Sequence, residues 1–324
     1  MKSNDQIIAT LLPTLEQLEP DRLLYRKRSK VYLAGTLIPT LALVGAGIVF
    51  RNSGIFLFIG AGVWLVVGLI LYQVKAASIG SRFKSGYKKT VIPALLSSID
   101  SSLTHSAERG IPSSSFVESE LFRTRPDRYT TEDLIEGRYG KTYLQLAEVN
   151  AQQRQTSTDS KGRTTTRYVT FFDGLFLIAD FHKHFHGRTF VFPDKAEKSF
   201  GGFARFFQKM GGRSQTDLIQ MDDPEFERDF KVYATDQVEA RYVLSNAMMR
   251  RILAMQKRFG KDVRLGFKQS SLMLAVPHHH SYLEPGTNLA ATDKGQVIRM
   301  LNDIRYFLET VEELDLNTRI WTKE

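Results

Sequence analysis

A chain of 324 residues without a single cysteine can form no disulfide, no thiol nucleophile and no Cys-ligated zinc site. Its formal charge of +9 is localised: eleven basic residues and no acid lie from Arg22 to Lys89, residues 1–21 carry −3, and residues 90–324 are near neutral at +1. A nucleic-acid binder carries its basic excess on the domain that reads the ligand, so no nucleic acid is expected as a partner.

Residues 1–30 form a helical N-terminal segment. Asn4 can cap a helix over 4–30, and Ile7, Leu11, Leu15 and Leu18 recur at helical spacing. Pro13 and Pro20 are expected to kink that helix or divide it. Residues 31–50 and 54–74 then contain no charged side chain. Each stretch is about 20 residues, or roughly 30 Å of helix, which matches the hydrocarbon thickness of a bilayer. Together they predict a transmembrane hairpin over 31–74. Pro39 is tolerable in such a helix where a neighbour satisfies the backbone group it frees. Ala42, Gly45, Ala46 and Gly47 on the first span, and Gly60, Gly62 and Gly68 on the second, offer small-residue faces for packing within the hairpin or between copies.

The charges give the hairpin a direction. Arg22, Arg26, Lys27, Arg28 and Lys30 precede it, Lys75, Arg82, Lys84, Lys88 and Lys89 follow it, and Arg51 alone lies in the loop. Lys/Arg excess marks the cytoplasmic side of short loops, so both termini are expected in the cytoplasm.

Residues 75–110 read as a juxtamembrane segment built on an amphipathic helix over 76–107, with Val91, Leu95, Ile99 and Leu103 on one stripe. Gly110, Pro112 and the serines at 113–115 end it. Residues 111–324 read as one cytoplasmic α+β domain. A strand is expected over 139–150. Residues 152–167 lack large apolar side chains and form either the tip of a long hairpin turning at Asp159–Gly162 or a loop. Tyr168–Phe181 is apolar on both faces, as a central strand is. A turn at His184–Gly187 then leads to a partner strand, Arg188–Phe192.

Further on come a short helix over 200–212, a strand over Phe230–Ala234 and a helix over 246–259 closed by Gly260. A hairpin of 263–268 with 271–276 follows. A last helix over 293–313 carries Val297, Leu301, Ile304, Leu308 and Val311 on one stripe. Strands without a βαβ rhythm predict a largely antiparallel sheet with flanking helices.

The chain carries no phosphate-binding glycine loop, dinucleotide fingerprint, His-Glu-x-x-His or nucleophile elbow, so no catalytic or cofactor-binding residue is assigned. Histidine is the suggestive residue, in two clusters: His182, His184 and His186, then His278, His279 and His280. Alternate residues of a strand share a face about 7 Å apart, within reach of one metal ion; the plainer reading makes them polar hairpin tips. Asp236 followed by Glu239 has the spacing of a capping box, with Val238 and Tyr242 on the buried face and Arg241 pairing with Glu239 or Asp229.

The stretches 171–194 (FFDGLFLIADFHKHFHGRTFVFPD) and 219–245 (IQMDDPEFERDFKVYATDQVEARYVLS), with Arg319-Ile320-Trp321, resemble bacterial domain-of-unknown-function family 3137. The resemblance extends to the N-terminal hairpin. It implies a two-span protein of the bacterial inner membrane without assigned activity, and a LemA-like membrane protein as candidate partner. The resulting expectation is a cytoplasm-facing interaction or scaffold protein that binds the bilayer and another membrane protein or itself. The alternative is a membrane-tethered, metal-dependent enzyme or regulator that uses the two histidine clusters.

Overall fold

A computed structural model of the chain describes residues 3–50, 54–194, 217–260, 262–277 and 282–318, with backbone alone for 181–185 and 313–318. The chain divides into two units, Met1–Ser98 with Leu283–Leu301, and Ile99–Tyr282 with Asn302–Glu324.

The first unit begins with α1 (Asn4–Val49), a continuous helix of 46 residues. Ser3, not Asn4, is its cap: the Ser3 hydroxyl accepts from the Gln6 amide while the Gln6 side chain accepts from the Ser3 amide. Pro13, Pro20 and Pro39 all lie inside it, so the expected N-terminal helix and first span are one element. Each proline removes one i→i−4 bond. The buried stripe of Ile7, Leu11 and Leu15 runs past Pro13, and the buried Arg22, paired with Glu19, follows Pro20.

After 51–53 come α2 (Gly54–Tyr72), a π-helical turn (Gln73–Ala77) and α3 (Ser78–Ile99). The helix expected to reach residue 107 stops at Ile99. There the Asp100 carboxylate accepts from the Ser102 amide and hydroxyl, at 2.9 and 2.8 Å, and turns the chain. Phe83, Tyr87, Val91, Ile92, Leu95 and Leu96 form the buried face of α3.

Residues 283–301 are tied to this unit by charge. Glu19 pairs with Arg22 and accepts from the Ala291 amide at 2.7 Å, while Arg22 donates to the Thr287 carbonyl at 3.1 Å. Glu284 lies 2.5 Å from Lys84 and 3.4 Å from Lys88.

The second unit is built on an antiparallel sheet. Its strands among the described residues are β1 (Thr104–Ser106), β2 (Arg128–Tyr139), β3 (Thr142–Thr158), β4 (Thr164–Pro193), β5 (Asp217–Ile219), β6 (Phe230–Ala234) and β7 (Arg264–Pro277). The order is β1-β2-β3-β4-β6-β5, with β7 also pairing β4. Of the two readings of 152–167 the hairpin tip holds, with the turn at Asp159–Gly162: the Asp159 carboxylate accepts from the Lys161 and Arg163 amides, and Gly162 takes a positive φ of 79°.

Two expectations fail together. The turn at 184–187 and the hairpin of 263–276 are both absent, because β4 and β7 each run on as one strand. Their pairing slips between Asp180 and Phe185 and again between Phe185 and Arg188, opposite Gln269. Gln269 itself has a φ of 57°. An irregularity in one strand is thus absorbed by one in its partner, so both bend and neither folds back.

One sheet face is covered by α4 (Ser113–Glu118), whose Phe116 stacks on Phe122 at 4.8 Å and meets Phe176 edge-on at 5.2 Å. The core there includes Leu134, Val149, Phe172, Phe190, Phe192, Tyr233 and Ala275. Three short helices follow in chain order: α5 (Pro224–Asp229), α6 (Gln237–Val243) and α7 (Asn246–Phe259). The last helix, α8 (Lys294–Thr318), buries Val297, Leu301, Ile304, Leu308 and Val311, the stripe read from the sequence. Phe259 of α7 stacks on Phe307 of α8 at 5.2 Å. The helix expected over 200–212 lies outside the described residues.

Candidate functional site

The least ordinary surface belongs to the hairpin of α1 and α2. Gly54, Ala61 and Gly68 are its buried positions on α2, seven residues apart. Gly68 lies so close to Thr36 of α1 that a Cβ there would collide with the threonine side chain, and Gly47 faces Gly54 and the Phe58 ring. Gly45, Gly60 and Gly62 have open space instead. The small-residue faces are therefore only partly used, at the points where backbones approach.

Polar groups inside the hairpin are satisfied within it. Thr36 and Thr40 donate to the carbonyls four residues back, each at 2.7 Å. Trp64 Nε1 donates to the Gly35 carbonyl at 3.1 Å. Both helices are long and apolar enough to cross a membrane, and their outward side chains are exposed: Ile38, Leu41, Ile48, Val49, Ile55 and Phe56 are all at least 66% accessible.

Of the six histidines in the two clusters, His186 alone has a described side chain. His182 and His184 lie where only the backbone is described, and His278, His279 and His280 fall outside the described residues. His186 is exposed on β4. Its amide and that of Gly187 donate to the Glu239 carboxylate at 2.9 and 2.8 Å, and Arg188 N donates to Thr235 Oγ1 at 2.8 Å. The start of α6 thus clamps the irregular part of β4.

This resolves the 235–242 segment in detail. Asp236 caps α6, its side chain accepting from the Val238 and Glu239 amides at 2.8 and 3.0 Å. Glu239 does not return the favour; its two oxygens hold β4. Val238 is 72% exposed and not on the buried face, where Ala240 and Val243 sit instead. Arg241 pairs with Asp222 at 3.2 Å, not with Glu239 or Asp229. One residue carries the cap and another carries the clamp.

Two buried charge clusters were not read from the sequence. His105 Nε2 lies 3.2 Å from Asp133 Oδ1, both side chains almost fully enclosed. Asp133 has a φ of 57° at the β2 irregularity between Glu132 and Ile135. One carboxylate oxygen each of Glu132, Asp133 and Glu148 fall within 4.8 Å of one another, an oxygen set of the kind hard cations take. Elsewhere Glu120, buried and at φ 60°, accepts from Lys268 at 2.6 Å and Arg188 at 3.2 Å. Two cations around one enclosed carboxylate offset its desolvation. Sequence spacing signals neither cluster, since the partners are 28 and up to 148 residues apart.

Fold and surfaces together define an α+β protein with an N-terminal apolar helical hairpin. Residues 170–316, from within β4 into α8, match the family described as Protein of unknown function (DUF3137), the one the sequence resembles. No curated protein matches the chain. Among solved structures, the mycobacterial trehalose monomycolate transport factor A is similar at 10% identity with a TM-score of 0.33, over 67% of this chain and 90% of that one. A likeness that shallow says nothing of transport here.

Proposed function

We propose that the chain is a membrane-anchored protein-interaction or scaffold protein of the bacterial inner membrane, with both termini and the sheet-bearing unit in the cytoplasm. The observation that carries this reading is the outward apolar face of the α1–α2 hairpin, whose large side chains lie exposed over the length of both helices. Burying such a side chain stabilises by about 1.5–3 kcal/mol; a bilayer supplies that burial and water does not. The hairpin's own hydroxyl, indole and glycine contacts are those of a helix pair that hides its polar groups from lipid.

The orientation is supported by ten basic residues flanking the spans against Arg51 between them. The near-neutral charge of residues 90–324 argues for a protein partner and not a nucleic acid. That partner is a second membrane protein, a LemA-like protein being the candidate, or another copy of the chain. Purification from gently solubilised membranes, with partners identified by mass spectrometry and metals by elemental analysis, tests the reading. It expects a stoichiometric membrane protein or a self-assembled complex. Stoichiometric zinc, iron or nickel, with the chain isolated alone, would contradict it in favour of a metal-dependent activity.

A further inference from the structure

Five of the ten basic residues that flank the hairpin lie at one level of it. The antiparallel packing of α1 on α2 brings Gly54 against Gly47 and Gly68 against Thr36, so Lys75, seven residues beyond Gly68, faces the level of Ser29, seven residues before Thr36. That register puts Lys75, in the π-helical turn, level with the α1 turn that carries Arg26, Lys27, Arg28 and Lys30. All five are exposed. They span little more than one helical turn, about 6 Å along the axis, and no acid lies anywhere between Asp21 and Asp100.

The apolar surface starts without a gap. Lys30 is followed by Val31, 62% exposed, and Lys75 is preceded by Val74, 59% exposed. A band of cations therefore meets exposed hydrocarbon within one residue on both helices.

From this juxtaposition we infer that the collar of Arg26, Lys27, Arg28, Lys30 and Lys75 binds the phosphate of anionic phospholipids, with their acyl chains against the exposed hairpin. A diacyl phospholipid with a net negative head group is the ligand whose two halves match the two surfaces. Free phosphate would leave the hydrocarbon unused, and an acidic protein segment would leave it uncovered. Each basic side chain near an anionic surface adds favourable energy that salt screens. The inference rests on the bilayer reading of the hairpin and gives it a lipid preference.

Trp64, half-exposed in α2, supplies the probe. The full chain with Trp321→Phe is reconstituted in phosphatidylcholine vesicles doped with either brominated phosphatidylcholine or brominated phosphatidylglycerol, and quenching of Trp64 fluorescence is compared. The expected result is quenching by both lipids, several-fold stronger per bromolipid for phosphatidylglycerol, falling towards equality as salt is raised. Replacing all five collar residues by glutamine should equalise the two lipids while phosphatidylcholine quenching persists. Lys27→Arg, Lys30→Arg and Lys75→Arg together should keep the preference. Equal quenching in the parent chain, or a preference that survives the five glutamines, would overturn the inference and leave the bilayer reading standing. No quenching by either lipid would overturn both.

Discussion

The indole of Trp64 donates to the carbonyl of Gly35, the group four residues before Pro39 that proline deprives of its helical donor. One helix thus repairs the backbone of the other. If that is its role, Trp64→Phe should cost about 0.6 to 2 kcal/mol of hairpin stability, measured by unfolding the full chain in detergent. In a Pro39→Ala background the Gly35 carbonyl recovers an amide donor, and the same substitution should cost clearly less. Equal costs in both backgrounds would remove the repair from the account.

The glycines of α2 should divide by position. Gly68→Val drives side-chain atoms into Thr36 and should destabilise by roughly 1–3 kcal/mol. Gly62→Val enters open space and should leave the unfolding transition in place. If both behave alike, α1 and α2 do not pack in this register.

Cap and clamp at α6 separate in the same way. Asp236→Ala should cost about 0.5–2 kcal/mol, and Asp236→Ser much less, because serine keeps the oxygen that accepts from the Val238 and Glu239 amides. Glu239→Gln should leave the cap intact and expose the His186 and Gly187 amides to faster hydrogen exchange. Loss of a co-purifying partner by both Asp236 variants at unchanged melting temperature would contradict a structural role for that aspartate.

Acid should loosen the first unit through Glu19. The Arg22 hydrogen bond, against the opposing effect of burial and with help from the Ala291 amide, holds its carboxyl below the ordinary 4.5. A lowered folded-state value means that ionised Glu19 stabilises fully above that ordinary value, and that this contribution is lost as pH falls through the lowered one. Glu19→Gln should therefore flatten the fall of melting temperature on the acid side. An unchanged acid slope would show that the pair does not hold residues 287–291.

Local signals carried much of the fold into the sequence. β6, α7 with its Gly260 stop, the Asp159–Gly162 turn and the α8 stripe all follow from neighbouring residues, and the structure shows them where periodicity and turn chemistry put them. What escaped depends on partners distant in sequence. His184–Gly187 has turn chemistry, yet the strand runs on because Gln269 bends β7 to match. Glu239 has capping-box spacing, yet its oxygens serve β4, 52 residues away. Pro13 and Pro20 are helix breakers locally, but the buried stripe runs past the first, and Glu19 and Arg22 on either side of the second are tied to each other and to residues 287–291. The His105–Asp133 pair exists only because β1 lies beside β2.

The central claim is that the hairpin spans a membrane with everything after it on the cytoplasmic side. Protease added to intact bacterial spheroplasts containing the full chain, tagged at its C-terminus, tests it most directly. The account predicts a tag that stays in the membrane fraction, protected until the spheroplasts are lysed and then degraded. Loss of the tag from intact spheroplasts, or its recovery in the soluble fraction, would contradict it.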